Sequence, residues 1–105
     1  MSIVTALISK SALINNVKIV KNIAKKSKAR IIAMVKSNAY GHDLNTVANI
    51  LCDYIDIFAV ARLYEAFKLR KNGVTKPIML MQGFLHKDEL KIAMNLDLDL
   101  VIVFF

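Results

Sequence analysis

Apolar residues fall into short runs separated by amphipathic stretches, and this alternation continues along the chain. Residues 3–8 form a first apolar run that predicts a strand. From Ser11 or Asn15 to about Ser27 the spacing is helical. Leu13, Val17, Val20 and Ala24 share one face, while Lys18, Lys21, Lys25 and Lys28 share another. Ser11 fits the apolar periodicity better than it fits a cap. Residues 31–35, Ile-Ile-Ala-Met-Val, predict a second strand. Asp43 is placed to cap a helix from 44 to about 54. A third strand is expected over 56–60 and a helix over 63–71, with Asn72-Gly73 as its C-cap. Pro77 opens a strand over 78–81, which Gly83 ends. A short helix follows over 87–95, and a last apolar strand over 98–105.

After the initial strand and helix, the order is β-α-β-α-β-α-β. Near-continuous apolar strands belong to parallel sheets with helical crossovers, where both faces are buried. Two architectures fit: an open doubly wound sheet, or part of a (β/α)8 barrel. The turn after the second strand has one glycine, Gly41, and no G-x-G-x-x-G, so a dinucleotide fingerprint is absent. There is no P-loop. The run Val101-Ile102-Val103-Phe104-Phe105 is the most apolar in the chain, and no helix follows to cover it. A sheet ending there exposes an edge, which is the pattern of an interrupted fold.

Composition sharpens this picture. A chain of 105 residues makes one small domain or part of a larger one. Hydrophobic residues make up 56% of it and the mean hydropathy is +0.46, both high for a free-standing domain this small. Some apolar surface is therefore expected to await a partner or a missing half. No apolar run reaches the roughly 18 residues that span a bilayer. The N-terminus lacks the charged start of a secretory signal. No membrane association is expected, and a cytoplasmic location fits. Cys52 alone excludes an internal disulfide and a cysteine metal cluster, and is expected to be core filler. The formal charge of +7 rests largely on the lysines of the first helix. Aromatic residues are not interleaved with them, so they predict a solvated helix face, not a nucleic-acid surface.

The candidate chemistry lies at Lys36, which ends the strand over 31–35. Its amine is held at the mouth of a core, where a Schiff-base lysine must sit to meet an aldehyde cofactor. Desolvation at a strand end favours the neutral, nucleophilic amine. In a barrel, the C-terminal ends of the strands line the active face. Tyr40 follows by four residues, and its hydroxyl is within reach of a phosphate or a cofactor ring. Asn38 and His42 add polar groups around Gly41. No second histidine stands at ligand spacing, so no metal is expected. From position alone, a lysine at a strand end is usually just the first solvated residue.

The surrounding residues decide between these. Met34-Val35-Lys36-Ser37-Asn38-Ala39-Tyr40-Gly41-His42 closely resembles the cofactor-attachment motif of alanine racemases, roughly V-K-A-N-A-Y-G-H-G. Ile8-Ser9-Lys10-Ser11-Ala12-Leu13-Ile14-Asn15-Asn16 is similar to that family's I-D-L-x-A-L-x-x-N. Phe58-Ala59-Val60-Ala61-Arg62-Leu63-Tyr64-Glu65-Ala66 is similar to F-G-V-A-T-L-x-E-A. Pro77-Ile78-Met79-Leu80-Met81-Gln82-Gly83-Phe84 resembles P-I-L-V-L-G-G-F.

The resemblance implies a partial (β/α)8 TIM-type barrel, roughly its first four βα units. Residues 1–105 would be the N-terminal portion, without the second half of the barrel and the β-rich C-terminal domain. It implies pyridoxal 5'-phosphate as cofactor, held covalently by Lys36, which would also move the α-proton on one face of the substrate. Tyr40 would help bind the phosphate, with Val35 or Met81 lining the pocket. The implied reaction interconverts L- and D-alanine, supplying D-alanine for peptidoglycan, in a homodimer. Racemisation needs a second acid/base group. In this family it is a tyrosine from the C-terminal part of the partner subunit, and Tyr54 and Tyr64 do not match that motif. Asp43 stands where the family usually has glycine, and Lys10 and Arg62 replace less basic residues. The alternatives are a catalytically inactive remnant and a PLP-carrier-like barrel protein, against which the A-Y-G-H run argues.

Overall fold

A computed structural model describes residues 10–36, 43–82 and 86–102. The predicted strand over 3–8 and the end of the last strand, 103–105, lie outside the described residues. In chain order the elements are α1 (Lys10–Ser27), β1 (Ile32–Met34), α2 (Leu44–Leu51), β2 (Ile57–Val60), α3 (Leu63–Lys71), β3 (Ile78–Leu80), α4 (Lys87–Asn95) and β4 (Asp99–Leu100). The helix predicted from 44 to about 54 stops at Leu51, and residues 52–54 form a turn in which the Tyr54 amide donates to the Leu51 carbonyl at 2.8 Å.

The four strands are parallel and lie side by side in the order β1-β2-β3-β4. This order separates the two candidate architectures. A doubly wound sheet reverses its direction of growth and places helices on both faces. Here each strand adds beyond the last. With right-handed crossovers, every helix then falls on one face. That is barrel winding, and the chain forms a partial (β/α)8 barrel.

The register shows which face is which. Phe58 is level with Ile78, and Val60 with Leu80. All four are completely buried, and they pack with Val17, Leu44, Val47, Ala48, Ala66 and Leu69 of the helices. Burying side chains of this size gains about 1.5–3 kcal/mol each, so this face is the energetic centre of the fold. The other face carries Ile32, Met34, Ile57 and Met79. Ile32 is 48% exposed, Met34 37% and Met81 40%.

The expectation of strands buried on both faces therefore holds fully for one face; on the other, Ala59 is buried, Ile57 and Met79 are half-buried, and Ile32 and Met34 are exposed. The open face corresponds to a barrel interior, which side chains fill only when eight strands close around it. The lysine face of α1 is exposed as predicted, but its apolar face is only partly packed: Val17 is buried, whereas Val20 is 50% exposed. Cys52 is half-buried and packs against the core.

The opposite, N-terminal end of the sheet is tied by polar side chains. Asp56 Oδ2 accepts the Ile31 amide at 2.7 Å, and Lys76 Nζ donates to the Ile55 carbonyl at 2.8 Å. Arg70, from the last turn of α3, donates to four carbonyls on two loops. Gly73 terminates α3 with φ of +92°, and the Val74 amide closes back on the Leu69 carbonyl at 3.1 Å. Only glycine adopts that backbone conformation at low cost.

Candidate active site

The C-terminal ends of β1, β2 and β3 form the mouth of the sheet. Lys36 stands there, half-buried, two residues past the end of β1. Met34 is level with Ala59, so the same register brings Lys36 level with Ala61. The chain leaves the strand there, and Lys36 is already in helical conformation. Among the described residues, no hydrogen bond or ion pair engages its amine. Val35 falls on the opposite side, 2% exposed in the helix-covered core, and so does not line the mouth. Met81 lies on the open face beyond β3.

The segment carrying Ser37, Asn38, Tyr40, Gly41 and His42 lies outside the described residues. Asp43 is the N-cap of α2. Its Oδ2 accepts from the Thr46 amide at 3.1 Å and from the Thr46 hydroxyl at 2.6 Å. The hydroxyl first, and then the amide, hold the Asp43 carboxyl below its usual range. Asp43 has φ of +68°, which explains why a glycine suits this position. Asparagine and aspartate are the other residues that tolerate positive φ, and Asp43 also supplies a cap that glycine lacks.

One residue at the mouth was not singled out by the sequence. Glu65 is 1% exposed, and its Oε1 accepts the amides of both Ala61 and Arg62 at 3.0 Å. The only sequence signal was its place in the F-A-V-A-R-L-Y-E-A segment. Of the tyrosines weighed as acid/base groups, Tyr54 lies before β2, at the opposite end of the sheet from Lys36. Tyr64 lies in the first turn of α3 and is 61% exposed. Among the described residues, no group of histidine, cysteine, aspartate and glutamate is arranged to hold a metal, and no helix is long and apolar enough to cross a membrane.

Comparison with known proteins agrees with this geometry. The family model described as alanine racemase, N-terminal domain, matches residues 8–103. The chain is 52% identical over 88 residues to the alanine racemase of Haemophilus influenzae, covering 84% of this chain and 24% of that protein. It is 46% identical over 90 residues to the biosynthetic alanine racemase of Escherichia coli, covering 86% and 24%. Among solved structures, the alanine racemase of Acinetobacter baumannii superposes with a TM-score of 0.82 at 33% identity, covering 91% of this chain and 26% of that one. The chain thus spans about a quarter of the length of the relatives it matches.

Proposed function

Because the chain belongs to the alanine racemase N-terminal domain family, we propose that it supplies the Lys36-bearing part of a pyridoxal-phosphate-dependent alanine racemase. The observation that carries this reading is the placement of Lys36. It is half-buried just past the C-terminal end of a parallel strand, with its amine unengaged among the described residues. These are the requirements for covalent attachment of an aldehyde, and they fit pyridoxal phosphate.

When bound, that group supplies an aldehyde carbon for the lysine and a ring that draws electrons from the substrate's Cα. Lys36 Nζ would hold it, then act as the base that takes or returns the α-proton on one face. Tyr40 would contribute a hydroxyl to the phosphate. The wall of the mouth next to Lys36 is the Ala61–Arg62 turn, and Met81 offers an apolar surface on the open face. A second acid/base group must serve the opposite face of the substrate. In this reading it comes from outside residues 1–105, together with the remaining barrel strands, a β-rich domain and a second subunit. The product, D-alanine, would serve peptidoglycan synthesis in the cytoplasm.

The open apolar face favours a second reading for the chain by itself. With Ile32, Met34 and Met81 exposed, the unassisted chain would be a non-catalytic remnant. Co-expression separates the two. The chain is produced together with the complementary three quarters of the Escherichia coli relative, in cells that require D-alanine. The racemase reading predicts growth that depends on Lys36, and absence of growth with both polypeptides soluble favours the remnant.

A further inference from the structure

Glu65 is the one buried charged side chain among the described residues, and the racemase chemistry assigns it no role. Its position relative to the strand ladders gives it one. In the β1–β2 ladder, the Ile57 amide donates to the Ile31 carbonyl at 3.2 Å. Parallel ladders repeat every two residues. The next donors from β2 on that side are the amides of Ala59 and Ala61, facing the carbonyls of Ala33 and Val35. In the β2–β3 ladder, the Phe58 amide donates to the Pro77 carbonyl at 2.9 Å. The same repeat assigns the amides of Val60 and Arg62 to the carbonyls of Met79 and Met81.

The last donor of each series leaves the ladder. Both the Ala61 and the Arg62 amide bond Glu65 Oε1, at 3.0 Å each. The pairing ends with the Val35 amide on the Ala59 carbonyl and the Met81 amide on the Val60 carbonyl, both 2.9 Å. One carboxylate oxygen therefore stops the central strand against both neighbours at a single level. That is the level just past β1 at which the chain reaches Lys36.

We propose that Glu65 is a positioning residue for Lys36. By taking both amides it ends the sheet one step early and keeps the mouth open beside the amine. The inference rests on Lys36 being the reactive lysine. Without Glu65, the two amides need new acceptors, and the next ladder position toward β3 is the Met81 carbonyl. Pairing there lengthens the sheet and narrows the mouth beside Lys36. Glutamine retains an acceptor oxygen at the same reach, whereas aspartate is one carbon too short to serve both amides.

The test compares the 105-residue chain with its E65Q, E65A, E65D and L69A variants. Each is treated with pyridoxal phosphate and borohydride, and separately with acetic anhydride, and modification of Lys36 is followed by peptide mass spectrometry. Amide hydrogen exchange is read at Ala61 and Arg62. E65A slows Lys36 modification by both reagents by about tenfold or more, as loss of positioning does, and E65D slows it too. E65Q stays near the unmodified chain. L69A weakens the core away from the turn and stays within about twofold at equal folded fraction, as an independent site should. Unchanged Lys36 modification in folded E65A or E65D overturns the proposal, as does equal slowing in L69A. If E65A does not fold, E65D and E65Q decide it. If the unmodified chain acylates at Lys36 but takes no pyridoxal phosphate, the racemase reading fails, while the acylation rates still decide the role of Glu65.

Discussion

Replacing Arg70 with methionine removes one guanidinium and four hydrogen bonds. Nε donates to the Leu96 carbonyl at 2.9 Å. Nη1 donates to the Val74 carbonyl at 3.0 Å and the Lys76 carbonyl at 2.8 Å. Nη2 donates to the Asp97 carbonyl at 3.0 Å. The acceptors lie on two separate segments, the loop leading into β3 and the turn leaving α4. Asp97 in that turn has φ of +54°, a conformation that costs about 1–2 kcal/mol and persists when its surroundings hold it. Methionine keeps an apolar stem of similar length and makes none of these bonds. A hydrogen bond from a charged donor contributes about 1.5–3 kcal/mol when buried. Arg70 is half-buried, so water reaches part of the vacated carbonyls, and about 0.5–1 kcal/mol per bond is the appropriate scale. The total is about 2–4 kcal/mol, a large share of the roughly 5–15 kcal/mol of a small domain. At about 4–8 °C per kcal/mol, the melting temperature should fall by about 8–32 °C. Far-ultraviolet circular dichroism during heating measures this. Lysine at the same position should recover less than half of the loss, because one ammonium cannot span four carbonyls. A fall of less than about 3 °C in R70M, against about 4–8 °C per kcal/mol, would refute the reasoning that the guanidinium ties these loops.

Other predictions concern the caps and the turn. D43G should be nearly neutral in thermal stability: glycine relieves the positive φ and as an N-cap falls short of aspartate by only a few tenths of a kcal/mol. D43A should lose about 1–2 kcal/mol, since it forfeits the cap and keeps the strained backbone. The Thr46 hydroxyl and then its amide hold the Asp43 carboxyl below the ordinary aspartate value. Its contribution is therefore complete above that value and lost as pH falls through the lower folded value. A melting series from pH 6 downward should show D43A and the unmodified chain converging only in that acidic range; convergence near neutrality would contradict the assignment. G73A should cost about 1–2 kcal/mol through its left-handed backbone alone, because a Cβ at Gly73 meets no atom within 4 Å. Urea unfolding measures it, and a neutral result would count against the C-cap assignment.

Periodicity made most of the framework legible. The helices α3 and α4 occupy the residues expected from their apolar spacing and caps, and Asp43 caps α2 as its position before an apolar run implied. Strand order was less accessible. A βα repeat is compatible with winding in one direction or two, and the choice depends on crossovers that no local pattern records. Burial failed at Ile32 and Met34 for a related reason: an apolar run states that a strand wants two covered faces, and the described strands cover one. At the candidate site, the position of Lys36 just past β1 was legible from the apolar run before it, whereas Tyr40 lies outside the described residues. Glu65 and Arg70 were not legible as functional or structural anchors. Their partners are backbone amides and carbonyls, which every residue has. A buried glutamate at the start of a helix and a half-buried arginine at its end look, in sequence, like ordinary charges complementing the helix dipole.

The central claim is that Lys36 is a cofactor lysine, set apart from the other lysines by its place at the sheet mouth. The direct measurement is site-resolved labelling. The chain is incubated with pyridoxal phosphate at a low molar ratio, reduced with borohydride, digested, and every lysine-containing peptide is quantified by mass spectrometry. The account predicts a dominant adduct on Lys36 that disappears on urea unfolding and in K36A. Labelling spread over Lys18, Lys21, Lys25 and the other exposed lysines, with Lys36 no more reactive than they are, would contradict it.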